Sequence, residues 1–130
     1  MTEEKRDEAW HQKQLIQWCR QFPWGQFLYH VPNESVGGYG WTVRNRQMGM
    51  RKGVPDLVLP IPMRGYHGLY IEMKTEKGRP SLEQKRWIDA LNAFGYCADV
   101  AHGWNEAKEL LCWYMEMEVN DEEKRTEAEH

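Results

Sequence analysis

Gly53-Val-Pro-Asp-Leu-Val-Leu-Pro60 and, after a turn at Gly65–Gly68, Leu69-Tyr-Ile-Glu-Met-Lys74 decide how this chain folds. Asp56-Leu-Val-Leu59 is a short apolar run stopped by Pro60 and Pro62, as expected of a buried strand. Residues 69–74 alternate: Leu69, Ile71 and Met73 fall on one face, and Tyr70, Glu72 and Lys74 on the other. A hairpin joining the two strands brings Asp56 beside Glu72, with Lys74 on the same face as Glu72. Two carboxylates and a lysine are costly to bury without a partner. A divalent cation resolves that cost, because Mg²⁺ takes hard oxygen ligands, keeps several waters and needs only one or two carboxylates. A Glu-X-Lys pair by itself is an ordinary solvated strand face. The preceding Pro55-Asp56 and the apolar run after it are what make this pair worth following.

Working outward, Pro80 and Ser81 open a helix through Trp87, Ile88, Leu91 and Phe94, stopped by Gly95. Ser81 followed by Gln84 has the spacing of a capping box. Tyr96–Ala101 reads as a strand, so residues 69–101 form a strand-helix-strand unit with a right-handed crossover. Asn105 is placed to cap a last helix carrying Ala107, Leu110, Leu111 and Tyr114. On the N-terminal side, Trp10, Leu15, Trp18 and Cys19 recur at helical spacing over 7–21, and Pro23 and Gly25 end that helix. Residues 26–31 read as a strand. Residues 35–53, with Gly37, Gly38, Gly40 and Gly53, read as a long loop or a broken helix near 41–47. The expectation is α/β: a small mixed β-sheet flanked by helices, in one domain over 1–118. Residues 119–130 are charged and poor in apolar side chains, which predicts a disordered acidic tail.

Composition narrows the function classes. The chain has 130 residues, 41% of them hydrophobic, which suits one modest core. No apolar run is long enough for a membrane helix, and Met1–Arg6 lacks the apolar stretch of a signal peptide, so a cytoplasmic location is expected. Cys19, Cys97 and Cys112 are odd in number and widely spaced, which argues for buried core thiols rather than disulfides or zinc. There is no Gly-rich loop of Walker or Rossmann spacing, and no organic cofactor is expected. The net charge of −3 disfavours nucleic acid, but its distribution does not. Acids crowd the two ends, whereas Arg44, Arg46, Arg51 and Lys52 stand together without an acid among them. Those four are candidate phosphate contacts, and Trp41, in the same basic loop, is a candidate for stacking on a base. Trp10, Trp18, Trp87 and Trp113 fit helix core faces instead.

The segments 53–60, Gly68-Leu-Tyr-Ile-Glu-Met-Lys-Thr75 and Ser81-Leu-Glu-Gln-Lys-Arg-Trp87 resemble the VRR-NUC family, a branch of the PD-(D/E)XK nucleases with stand-alone versions in phages and bacteria. Gly95-Tyr96, Gly103-Trp104-Asn-Glu-Ala107, His30-Val-Pro-Asn33 and the N-terminal Glu8-Ala-Trp-His-Gln12 also resemble its pattern, although the family's usual Glu-His pair reads Glu-Ala here. The resemblance spans roughly residues 7 to 115. It implies a restriction-endonuclease-like core with Mg²⁺, or Mn²⁺ as a substitute, held by Asp56, Glu72 and the backbone carbonyl of Met73. It makes Lys74 the catalytic lysine and brings Gln84 to the attacking water or the scissile phosphate. Glu8 would approach the metal from the first helix. Gln84 could equally be only the helix cap, Glu8 only a solvated helix residue, and His30 only structural.

The function expected from this is a metal-dependent, structure-selective endodeoxyribonuclease acting on branched DNA such as Holliday junctions. Stand-alone members of the family resemble junction resolvases, which work as homodimers. The excess of large side chains in Trp10, Trp18, Trp87, Trp104, Trp113, Tyr114, Met115 and Met117 points the same way. If phage-encoded, the protein would act inside a bacterial host cell. The alternatives are a flap or nicking nuclease of phage DNA metabolism and a non-catalytic DNA-binding module of the same fold.

Overall fold

A computed structural model describes residues 6–32 and 43–118. The acidic tail expected at 119–130, Trp41 and Asn33 lie outside these residues. The elements are α1 (Glu8–Cys19), a 3-10 helix (Pro23–Phe27), β1 (Tyr29–His30), α2 (Val43–Gln47), β2 (Leu57–Leu59), β3 (Leu69–Lys74), α3 (Leu82–Ala93), β4 (Cys97–His102) and α4 (Trp104–Tyr114). The four strands form one mixed sheet in the order β1-β2-β3-β4. β1, β2 and β3 pair antiparallel, and β4 runs parallel to β3 after the α3 crossover. This is the small helix-flanked sheet expected from the alternating pattern.

Burial follows the alternation. Leu57, Leu59, Leu69, Ile71, Met73 and Ala101 form a core with Leu15 and Cys19 of α1 and Ala107, Leu111 and Tyr114 of α4. Full burial of each leucine, isoleucine or methionine side chain among them contributes about 1.5–3 kcal/mol. Leu57, Val58 and Leu59 are all buried, as a strand covered on both faces requires. All three cysteines are free and buried, and burial pushes the Cys19 thiol up to about 12. Among the described residues, no helix is long and apolar enough to cross a membrane.

Three local expectations are corrected. The strand expected at 26–31 shrinks to Tyr29–His30, because Pro23 starts a 3-10 helix that runs to Phe27. A Cβ at Gly25 would lie 1.9 Å from the Cys19 carbonyl oxygen, so this turn packs directly on the end of α1. The last helix starts at Trp104 rather than after Asn105, with Gly103 at the cap position. The Trp104 amide donates to Nδ1 of His11 at 3.1 Å, so a side chain of α1 does the work a capping residue would do. Trp113 is exposed rather than in the core, with the Arg64 guanidinium 4.5 Å from its ring centre. By contrast Tyr114 is fully buried, and Trp18, Trp104 and Met115 pack against the core, so the domain covers much of its apolar excess itself.

Candidate active site

The antiparallel register of β2 and β3 sets Leu57 opposite Ile71, which brings the preceding Asp56 to the level of Glu72. Asp56 Oδ2 accepts from the Met73 amide at 2.9 Å, so the carboxylate is tied to β3 itself. On its other side the Asp56 carbonyl accepts from the Val31 amide at 2.7 Å and lies 3.1 Å from His30 Nδ1. A carbonyl only accepts, so His30 Nδ1 carries a proton. His30 thus stands beside Asp56, with its contact made to the Asp56 backbone.

Glu72 is fully buried and Asp56 is 5% exposed. Their carboxyl groups lie close enough for Glu72 to act directly on Asp56. Burial pushes the Asp56 carboxyl above its ordinary value. The bonds from Glu72 and the Met73 amide and the charge of Lys74 pull it back, while the charge of Glu8 adds to the rise. Lys74 Nζ lies 3.6 Å from Glu72 Oε2 and 3.5 Å from Glu8 Oε1. Glu8 therefore reaches the site by way of Lys74, from the first turn of α1, where Asp7 caps the helix. Lys74 is also held through its backbone, whose carbonyl accepts from the Gly103 amide at 2.8 Å.

Gln84 caps α3 and also touches Glu72. Its Oε1 accepts from the Ser81 amide at 2.8 Å, and its backbone amide donates to the Ser81 hydroxyl oxygen at 3.1 Å, completing the capping box. The Ser81 amide needs an acceptor, so Nε2 must face the other way, and it donates to Glu72 Oε2 at 3.1 Å. The structure thus gathers Asp56, Glu72, Lys74, Gln84 and Glu8 at one end of the sheet. Met73 takes part through its amide; a role for its carbonyl is an expectation. Arg44 and Arg46 are exposed on α2, and Arg51 and Lys52 are exposed on the loop before Asp56.

The donor set fits a hard divalent cation. Two adjacent buried carboxylates are relieved by a cation that binds oxygen. Among the described residues no three His, Cys, Asp or Glu side chains gather as a metal-binding group. Mg²⁺ does not require three, since water and substrate oxygens complete its shell.

Comparison with known proteins bears on the family and the fold. A solved structure described as a VRR_NUC domain protein matches with a TM-score of 0.76 at 28% identity, covering 85% of this chain and 88% of that one. No curated protein matches. The model of the VRR-NUC domain matches residues 2–105, most of the chain and every residue of the cluster just described. The chain therefore belongs to the VRR-NUC family and is a nuclease domain.

Proposed function

We propose that this protein is a metal-dependent endodeoxyribonuclease of branched DNA, with Asp56 and Glu72 as metal ligands and Lys74 as the catalytic lysine. The observation that supports it best is Lys74 Nζ 3.6 Å from a buried Glu72 that shares its site with Asp56. When bound, Mg²⁺ or Mn²⁺ would polarise the scissile phosphate and make a water more acidic. Asp56 and Glu72 orient that site, with Asp56 held by the Met73 amide and Glu72 by Gln84. Lys74, kept in place by Glu8, offers positive charge to the phosphoryl oxygens as negative charge builds on them. The Met73 carbonyl is assigned as a further ligand. Arg44, Arg46, Arg51 and Lys52 supply the phosphate contacts that bring DNA to the site, with Trp41 stacking on a base.

Resolution of a four-way junction needs two cuts, and a homodimer would supply both from one gene product. The test is a cleavage panel of four-way junction, flap, linear duplex and single strand with Mg²⁺, Mn²⁺ or EDTA, together with light scattering. The expected result is metal-dependent cutting of the junction by a species of twice 15.5 kDa. Cutting of flaps or nicked duplex by a monomer would replace resolution with the flap or nicking reaction. Cutting in EDTA would overturn the metal assignment.

A further inference from the structure

Lys52, Glu83, Arg86, Trp87, Ala90 and Phe94 line an open cleft of about 390 Å³ on the outer side of α3. The proposed chemistry uses none of them except Lys52, as a phosphate contact. The helix residues are spaced three or four apart, so they make one stripe along α3. Phe94 is 68% exposed, a large aromatic surface left to water.

The cleft adjoins the candidate active site. Gly53 has a φ of +90°, and a Cβ there would lie 2.6 Å from the backbone of Glu83. The loop that carries Lys52 and leads to Asp56 is therefore pressed against the first turn of α3. Gln84, the residue after Glu83, donates to Glu72. Trp87 is three residues further on, about 4.5 Å along the helix axis, and Ala90 about 9 Å. Successive bases of a stacked strand rise by about 3.4 Å. A strand whose phosphate sits at Glu72 and Gln84 thus passes the cleft within one to three nucleotides.

We infer that this cleft binds one nucleobase of the substrate strand, turned out of its stack beside the scissile phosphate. The inference rests on the nuclease reading. Trp87 and Phe94 offer apolar aromatic surface, and every base has a face that stacks on such rings. Lys52 and Arg86 favour the attached phosphates, and Glu83 offers an acceptor to a base amino group. The volume is at the small end of ligand sites, as a single base requires. A second copy of this chain is a poorer occupant, because the centres of protein interfaces are depleted in charge and half the residues lining this cleft are charged.

The test measures binding rather than cleavage. Splayed-arm DNA is bound by the full-length protein in Ca²⁺, with one abasic residue placed in turn at each position around the fork. Loss of the base at one or two neighbouring positions should weaken binding about tenfold, within the range of stacking on an aromatic side chain. Phe94→Ala, at an exposed position, should bind intact DNA about tenfold more weakly and be indifferent to the abasic residue at those positions only. Arg86→Ala should show the same positional loss in milder form, and thermal melts establish that both variants fold. A flat abasic scan, or losses that simply multiply in Phe94→Ala, would overturn the inference. So would a Phe94→Ala variant that changes only the mass seen by light scattering, which would make the face a contact between copies. A protein that shows this binding pattern and cuts nothing would refute the nuclease mechanism and keep the cleft.

Discussion

Gln84 donates through Nε2 to Glu72 Oε2 at 3.1 Å while its Oε1 caps α3 through the Ser81 amide. One amide side chain therefore couples the start of a helix to a buried carboxylate. The two duties separate by mutation. Ser81→Ala removes the hydroxyl that accepts from the Gln84 amide but leaves the Oε1 contact, so Gln84 stays oriented. It should lower stability by about 1 kcal/mol and keep near-normal turnover. Gln84→Ala should cost similar stability and also lower turnover at least ~10-fold, as loss of a group that orients a ligand does. Thermal melts paired with cleavage rates check this; equal rates in the two variants would make Gln84 a cap alone.

The raised Asp56 carboxyl carries a stability cost with a definite sign. Burial favours its protonated form in the folded state, so its contribution to stability is present at low pH and is lost as pH rises through the folded-state value. Asp56→Asn keeps an acceptor for the Met73 amide and removes the charge. In EDTA the variant should melt higher than the parent near neutral pH, and the difference should shrink toward acidic pH. It should cut no DNA, and added Mg²⁺ or Mn²⁺ should raise the melting temperature of the parent but not of the variant. A variant less stable than the parent at pH 8 would mean that the lost bonds outweigh the relieved charge.

Lys74→Ala tests whether the lysine acts on the transition state. Its ammonium lies between Glu8 and Glu72 and is mostly buried, so it is aimed at the site rather than at bulk solvent. Turnover should fall by about 10²–10³-fold, as with other single charge-stabilising donors. DNA affinity and the metal-induced rise in melting temperature should remain. Loss of affinity with unchanged turnover at saturating DNA would make Lys74 a phosphate anchor instead.

The sequence made the sheet and the carboxylate pair legible because both depend on a period of two. Leu69, Ile71 and Met73 could turn inward only by turning Glu72 and Lys74 to the other face. Other features depend on contacts that no local pattern records. The Trp104 amide is satisfied by His11, far away in the chain, so Asn105 looked like the natural cap. The 3-10 turn at 23–27 depends on the close approach of Gly25 to Cys19, and a run such as Phe27-Leu-Tyr-His-Val31 reads as strand without it. Trp87 sits at helical spacing with true core residues such as Leu91, yet it lines an open cleft. Gln84 looked like a choice between cap and site because spacing cannot separate the two ends of one amide.

Arg44 and Arg46 stand exposed on α2, a short helix whose described residues include no acid. Each phosphate neutralised on duplex DNA adds about −0.9 to the slope of log K against log salt. If both arginines reach the backbone, Arg44→Ala with Arg46→Ala should flatten that slope by about 1.8 and weaken binding to all sequences alike. The catalytic rate on bound DNA should hold, because neither residue is among the groups around Glu72. Titrations of the parent and the double variant at several salt concentrations measure this directly. A halved change would assign contact to one arginine, and parallel lines would show that α2 faces away from the DNA.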